Sequence, residues 1–245
     1  DVGSQNLNLP HDVVQLPTLG KFYKNKKSSL RVGYLTASDE NVLTNAIQGR
    51  QEEIVLNLLR NKIYERDIKP EDLLDSDIEA ILIFLRNTSF GPEYVVNITD
   101  PKTQKRFEAT LILDEINIKI AEVEPDTEGF TTTLPKSGHT VKLKPLTFGE
   151  TLELDKRAST YPIGRTIPTV TWRLEKLIQE IDGNPDKSNI SSFITSLPIM
   201  DSKHIRKFII ENTPRLDLTK KVIAPSGEQV DVDINFGVEF FRPFF

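Results

Sequence analysis

Residues 16–23 read Leu16-Pro-Thr-Leu-Gly-Lys-Phe-Tyr23, and residues 134–141 read Leu134-Pro-Lys-Ser-Gly-His-Thr-Val141. This pair decides the reading of the fold, because further matches follow it in the same order. Leu30-Arg-Val-Gly-Tyr-Leu-Thr36 answers to Val141-Lys-Leu-Lys-Pro-Leu-Thr147, each a strand-like run that leads into a helix start. Asp77, Ile81, Phe84 and Leu85 match Asp201, Ile205, Phe208 and Ile209 at one constant offset. At the same offset Ile98-Thr-Asp-Pro101 matches Val222-Ile-Ala-Pro225. Identity is thin, but the order and type of elements agree, as they do in an internal repeat. The expected class is α+β, with two similar halves of short strands, helices and a small antiparallel β-hairpin. The expected division is an N-terminal extension over 1–15, a first module over 16–120, an acidic linker over 121–133 and a second module over 134–245 with a Phe-rich end.

Local signals fill in each half. Thr36-Ala-Ser-Asp39 and Thr147-Phe-Gly-Glu150 have the form of capping boxes, in which a hydroxyl and an acid satisfy free N–H groups. A helix is expected around 39–48. Ile54, Val55, Leu58, Leu59 and Ile63 form an apolar stripe at helical spacing. Asp75 or Ser76 is placed to cap a helix carrying Ile78, Ile81, Leu82 and Leu85, which Gly91-Pro92 ends. Val170, Leu174, Leu177 and Ile181 stripe a helix that Asp182-Gly-Asn-Pro185 stops. Ile190, Phe193, Ile194 and Leu197 predict a short helix, and Asp201 is placed to cap the next. Alternating apolar runs around Asp100-Pro101 and around Pro225-Ser-Gly227 predict the two hairpins.

Composition limits the chemistry. The 245-residue chain is 38% hydrophobic and 27% charged, which is a folded rather than a disordered profile. A net charge of -5 argues against a protein that coats nucleic acid. The absence of cysteine excludes disulfides, thiolate catalysis and cysteine-ligated zinc. No apolar run is long enough for a transmembrane helix, and the opening residues do not read as a signal peptide.

The candidate catalytic groups have simpler readings. The acid pairs Glu52-Glu53, Glu71-Asp72, Asp75 with Asp77 and Asp114-Glu115 fall near predicted helix starts, where a carboxylate favours the helix dipole. Asp182, Asn184 and Asp186 alternate as in a calcium loop, but the loop's Gly and Glu positions hold Lys187 and Phe193. No phosphate-binding glycine loop and no Gly-x-Ser-x-Gly elbow occurs. His139 and His204 read as surface residues. No cofactor is expected.

Two segments stand out as interaction candidates. Lys21 to Lys27 holds four lysines in seven residues beside Phe22 and Tyr23. It reads as a solvated loop or as a contact for an acidic protein partner, with Lys21, Phe22, Tyr23 and Lys24 as candidate residues. Residues 236–245 contain five of the chain's 13 phenylalanines. An aromatic end of this kind either folds into its own core or anchors in a partner. The candidates there are Phe240, Phe241, Arg242, Phe244 and Phe245.

The run 16–23, then Leu35-Thr36 with Asp39-Glu40 and Leu43-Thr44, resembles the opening of the T4-type phage baseplate hub subunit family. Asp72-Leu-Leu-Asp75-Ser-Asp77, Leu85-Arg86, Ser89-Phe90-Gly91 and the Phe-Phe-Arg-Pro ending are similar to the same family. Related proteins carry cysteine pairs in the hairpins, like zinc knuckles. Here Asp100-Pro-Lys-Thr103 and Ala224-Pro-Ser-Gly227 stand there instead, and no metal role is carried over. The resemblance implies a non-enzymatic structural subunit of a contractile phage tail, in the virion baseplate and in host cytoplasm during assembly. Its implied partners are hub, tail tube or wedge proteins, with a homo-oligomer possible and no direct nucleic acid contact. A hub assembly chaperone absent from the finished particle is the alternative. An unrelated soluble enzyme or binding domain is the second.

Overall fold

The computed structural model describes residues 10–45, 51–121, 123–125 and 129–241. Its class is α+β, with helices and small antiparallel sheets. The first half begins with β1 (His11–Gln15) paired to β2 (Ser29–Gly33), followed by α1 (Ala37–Thr44), α2 (Gln51–Lys62) and α3 (Asp75–Phe90). The hairpin of β3 (Glu93–Thr99) and β4 (Arg106–Ile112) closes it. After β5 (Ile118–Lys119), the second half runs through β6 (Phe130–Thr133), β7 (Thr140–Leu143), α4 (Phe148–Ser159), α5 (Thr169–Leu177) and β8 (Ile178–Ile181). Then come α6 (Lys187–Thr195), α7 (Ile199–Asn212), β9 (Arg215–Leu216) and the hairpin of β10 (Thr219–Ile223) and β11 (Gln229–Asp233).

Both capping boxes form. The Thr36 side chain accepts from Asp39 N while Asp39 accepts from Thr36 N, and Thr147 and Glu150 repeat the exchange. Each box supplies partners for N–H groups that a helix start leaves free. The helix expected around 39–48 ends at Thr44, and its last positions lie outside the described residues.

Three local expectations are corrected. The expected helix through Ile181 stops at Leu177, because Ile178 to Ile181 pair with β7 as a third strand. Ile178 and Ile181 are both buried because the register shifts between Lys142 and Leu143, which pairs Ile178 with Leu143 and Ile181 with Val141 and lets a helix-like spacing of three serve in a strand. Neither Asp75 nor Ser76 caps α3, whose N-cap is Leu74 with no side-chain bond. Asp201 does not cap α7, because its carboxylate is spent on the loop before β7.

The apolar residues gather in two cores. One takes Leu16, Leu30, Leu59, Ile81 and Leu85 from the first half. The other takes Phe130, Val141, Leu143, Leu177, Ile190 and Ile205 from the second. The chain beyond α7 does not stay with the second core. Ile234, Phe240 and Phe241 belong to the first, and Leu216, Val222 and Val232 pack against it. Residues 134–245 therefore contribute to both cores. β9 also pairs with β5, tying the end of the first half to the end of α7.

Candidate functional site

The site grows from the loop between β1 and β2. Leu16 and Thr18 are buried, and Leu16 N donates to Ser28 O, so the loop closes on itself. Leu19 and Gly20 both take positive φ. A Cβ on Gly20 would lie 2.2 Å from Lys27 O, so glycine is required there. Asp77 of α3 holds the loop from within. It accepts from Thr18 N at 3.0 Å and from the hydroxyls of Thr18 and Tyr23. Tyr23 Oη in turn accepts from Leu74 N at 2.8 Å. Burial raises the Asp77 carboxyl above its usual range despite these bonds. Burial, then the neighbouring Asp77 charge, raises the Tyr23 phenol.

This network places Tyr23, one of the candidate contact residues, inside the molecule. Its hydroxyl is needed inside, and the side chain is buried. Lys21 is engaged as well, with both Glu124 oxygens at 2.6 and 2.7 Å from Nζ. Phe22 is half-buried, packs against both cores and meets Phe130 edge-on at 5.6 Å.

Phe22 and Lys24 instead form one wall of a pocket of about 390 Å³. The other walls come from the second half. In β7 Val141 and Leu143 face the core, which turns Lys142 outward, and Lys144 follows in the same sense. Lys142 stands opposite Glu180 of β8, with Nζ 4.0 Å from the carboxylate. Lys187 reaches the pocket from the start of α6. Gly129 permits the close approach of the strands: its φ is 138°, and a Cβ would lie 2.0 Å from Leu143 O. Among the described residues, four lysines and one carboxylate thus line a pocket on a chain of net charge -5. Lys24, Lys144 and Lys187 form no ion pair among the described residues. The sequence reading found Lys24 and missed Lys142, Lys144 and Lys187. The Val-Lys-Leu-Lys alternation marks them as outward, but nothing local says what they face.

The aromatic end lies elsewhere. Phe240 and Phe241 are each 1% exposed, in the first core. Phe240 meets Phe236, Phe241 and Tyr94 edge-on at 4.9, 5.2 and 5.4 Å. Arg86 Nε donates to Phe240 O at 3.0 Å, and its guanidinium lies over the Tyr94 and Phe240 rings. Burial lowers the Arg86 pKa, while Nη1 and Nη2 donate to Gly91 O and Glu93 O. Of the two readings left open for these phenylalanines, packing within the chain is the observed one. Arg242, Phe244 and Phe245 lie outside the described residues.

Other polar groups form small constellations. His139 Nδ1 and the Asp182 carboxylate lie 2.6 Å apart in an exposed pair, and His204 bonds Thr132. Among the described residues no group of three or more His, Asp or Glu could hold a metal ion. A cleft of about 550 Å³ between the cores is lined by Asp75, Glu79, Leu146, Arg173 and Ile209. Burial, then the adjacent Asp75 charge, pushes Glu79 up to about 7. No described helix is long and apolar enough to cross a membrane.

The family described as T4 bacteriophage base plate protein matches residues 13–242, which takes in both cores and the pocket. The chain belongs to the T4 bacteriophage base plate protein family. No curated protein matched the chain, and no solved structure did. As a base plate protein it is a structural component of the phage tail, placed in the virion baseplate. Its neighbours are other tail and baseplate proteins. For a base plate protein, surfaces that meet other chains are the functional sites. The lysine pocket is an open recess on the surface, with walls from both halves.

Proposed function

We propose that this base plate protein is a non-enzymatic subunit of the baseplate hub, docking other tail proteins near the distal end of the tail tube. The observation that supports this reading is the lysine pocket, where the loop 16–28 meets β7, β8 and α6. A basic recess on an acidic protein favours an oriented encounter with one face of a neighbour. Its two walls come from different halves, so both halves must be in place before docking. The subunit would enter the particle from the host cytoplasm during assembly.

The test is lysine-directed cross-linking of tails purified from infected cells, read by mass spectrometry. The expected result is the chain in finished tails, joined to hub or tube proteins. Its presence in unfinished assemblies alone would make it an assembly chaperone. Links to wedge proteins alone would sink the hub assignment.

A further inference from the structure

We propose that the lysine pocket seats an acidic segment of a neighbouring tail protein, one in which carboxylates flank an apolar side chain. This deepens the docking role proposed above and rests on it. Charge complementarity is the first argument. Lys24, Lys142, Lys144 and Lys187 line the recess, and among the described residues Glu180 is the carboxylate that lines it. Lys144 is half-buried and forms no ion pair among the described residues, so an incoming carboxylate gains a charge already partly stripped of water.

Chemistry of the walls is the second argument. The half-buried Phe22 ring gives the recess an apolar wall beside its ammonium groups. A peptide with mixed acidic and apolar side chains meets both, whereas an inorganic anion meets only the charge. The same loop already shows the contact in miniature, since Lys21 holds both oxygens of Glu124. Size is the third. A volume of about 390 Å³ takes a few side chains, and the lysines line that single recess. A nucleic acid strand calls for an extended basic stripe, and the net charge of -5 repels a long polyanion.

The experiment is fluorescence anisotropy of the full chain with a labelled peptide in which glutamates flank two leucines. The main variant is Lys24→Glu with Lys187→Glu, both exposed and on separate elements, so folding should survive. Lys102→Glu with Lys105→Glu, at the tip of the β3–β4 hairpin, makes the same charge change away from the pocket. Circular dichroism checks that each variant folds. The peptide should bind the natural chain at low salt and weaken at least about tenfold as ionic strength reaches physiological levels. The pocket variant should weaken it at least about tenfold, the hairpin variant by no more than about twofold. Replacing the peptide's leucines with serines should weaken binding measurably, through loss of the Phe22 contact.

Absence of binding at low salt would overturn the proposal, as would equal losses in the two variants. So would an oligothymidylate of equal charge binding as tightly as the peptide, which would make the site one for nucleic acid. The pocket variant is also followed into tails. A failed peptide assay with the chain still cross-linked to hub proteins removes the acidic segment and leaves the hub role. A successful assay with the chain absent from finished tails does the reverse.

Discussion

Asp77 and Asp201 occupy the third positions of α3 and α7, and each uses its carboxylate to hold a Leu-Pro loop. Asp77 takes Thr18 N at 3.0 Å, and Asp201 takes Lys136 N and Ser137 N at 2.7 and 2.9 Å. The matched pair is what a duplicated unit would leave, and it gives the Asp-to-Asp match in the sequence a physical meaning. Removing Asp77 strands two hydroxyls and an amide in a buried site. Asp77→Ala should cost about 2–4 kcal/mol in urea unfolding, and Tyr23→Phe about 1–2 kcal/mol. Equal stability of Asp77→Ala and the natural chain would remove the tether's role. Glu79 carries the opposite sign of effect. Its folded pKa of about 7 lies above the ordinary 4.5, so the fold holds the proton more tightly than the unfolded chain does. Stability is therefore fully present below pH 4.5 and is lost as pH rises through 7. Glu79→Gln stays neutral beside Asp75. It should match the natural chain in mild acid and exceed its stability by about 1–3 kcal/mol in mild alkali, once solvent access is discounted. Parallel stability curves across that range would show that the Glu79 site is wetter than its packing implies.

At the scale of elements, the signals that were legible are those carried by a few adjacent residues. The capping boxes at Thr36 and Thr147 form as their spacing requires, and Thr147→Ala should cost about 1 kcal/mol. The hairpins around Asp100 and Pro225 form because apolar alternation and turn residues act over a few positions. What was not legible depends on partners distant in sequence. Ile178 to Ile181 becomes a strand because β7 offers an edge, and Tyr23 turns inward because Asp77 lies beneath it. The lysine pocket was half visible for the same reason: Lys24 sits in a marked cluster, while Lys144 and Lys187 acquire meaning only beside Phe22. The C-terminal turn Val238–Phe241 shows the limit most plainly. Its aromatic residues announce burial, but the site of burial is the first core, whose other members lie mostly before residue 114. Phe240→Ala should destabilise the chain by about 3–5 kcal/mol, since the cavity would sit among Tyr94, Phe236 and Phe241. Thermal unfolding of that variant with the natural midpoint would mean that the end is not part of the core.

Across the whole molecule, the chain crosses back on itself, so the first core is not built from one continuous stretch, and Phe22 of the first half packs against the second. β9 pairs with β5, Phe148 of α4 packs on the first core, and residues 234–241 complete it. The two hairpin tips also meet. Asp100 accepts from Ser226 N at 3.1 Å and Ser226 Oγ at 2.8 Å, besides Lys102 N and Thr103 N in its own turn. Burial works to raise its carboxyl, but these bonds outweigh it and hold the pKa at about 2. This stabilising contact is present above the ordinary carboxylate range and is lost as pH falls through about 2. A subunit wired in this way should not divide at its linker. Residues 1–125 produced alone lack Ile234, Phe240 and Phe241, and therefore leave an apolar face of the first core open to water. That fragment should aggregate or melt without a cooperative transition. Production together with residues 126–245 should restore one transition, because the missing strand pair, hairpin and aromatic turn then return to the first core. A cooperative melt of residues 1–125 alone would show instead that the first half is a self-sufficient domain and that the C-terminal segment merely rests upon it. The distinction bears on the proposed docking, since a pocket with walls from both halves exists only when the whole chain has folded. Premature docking by a half-made subunit would then be blocked by the topology itself.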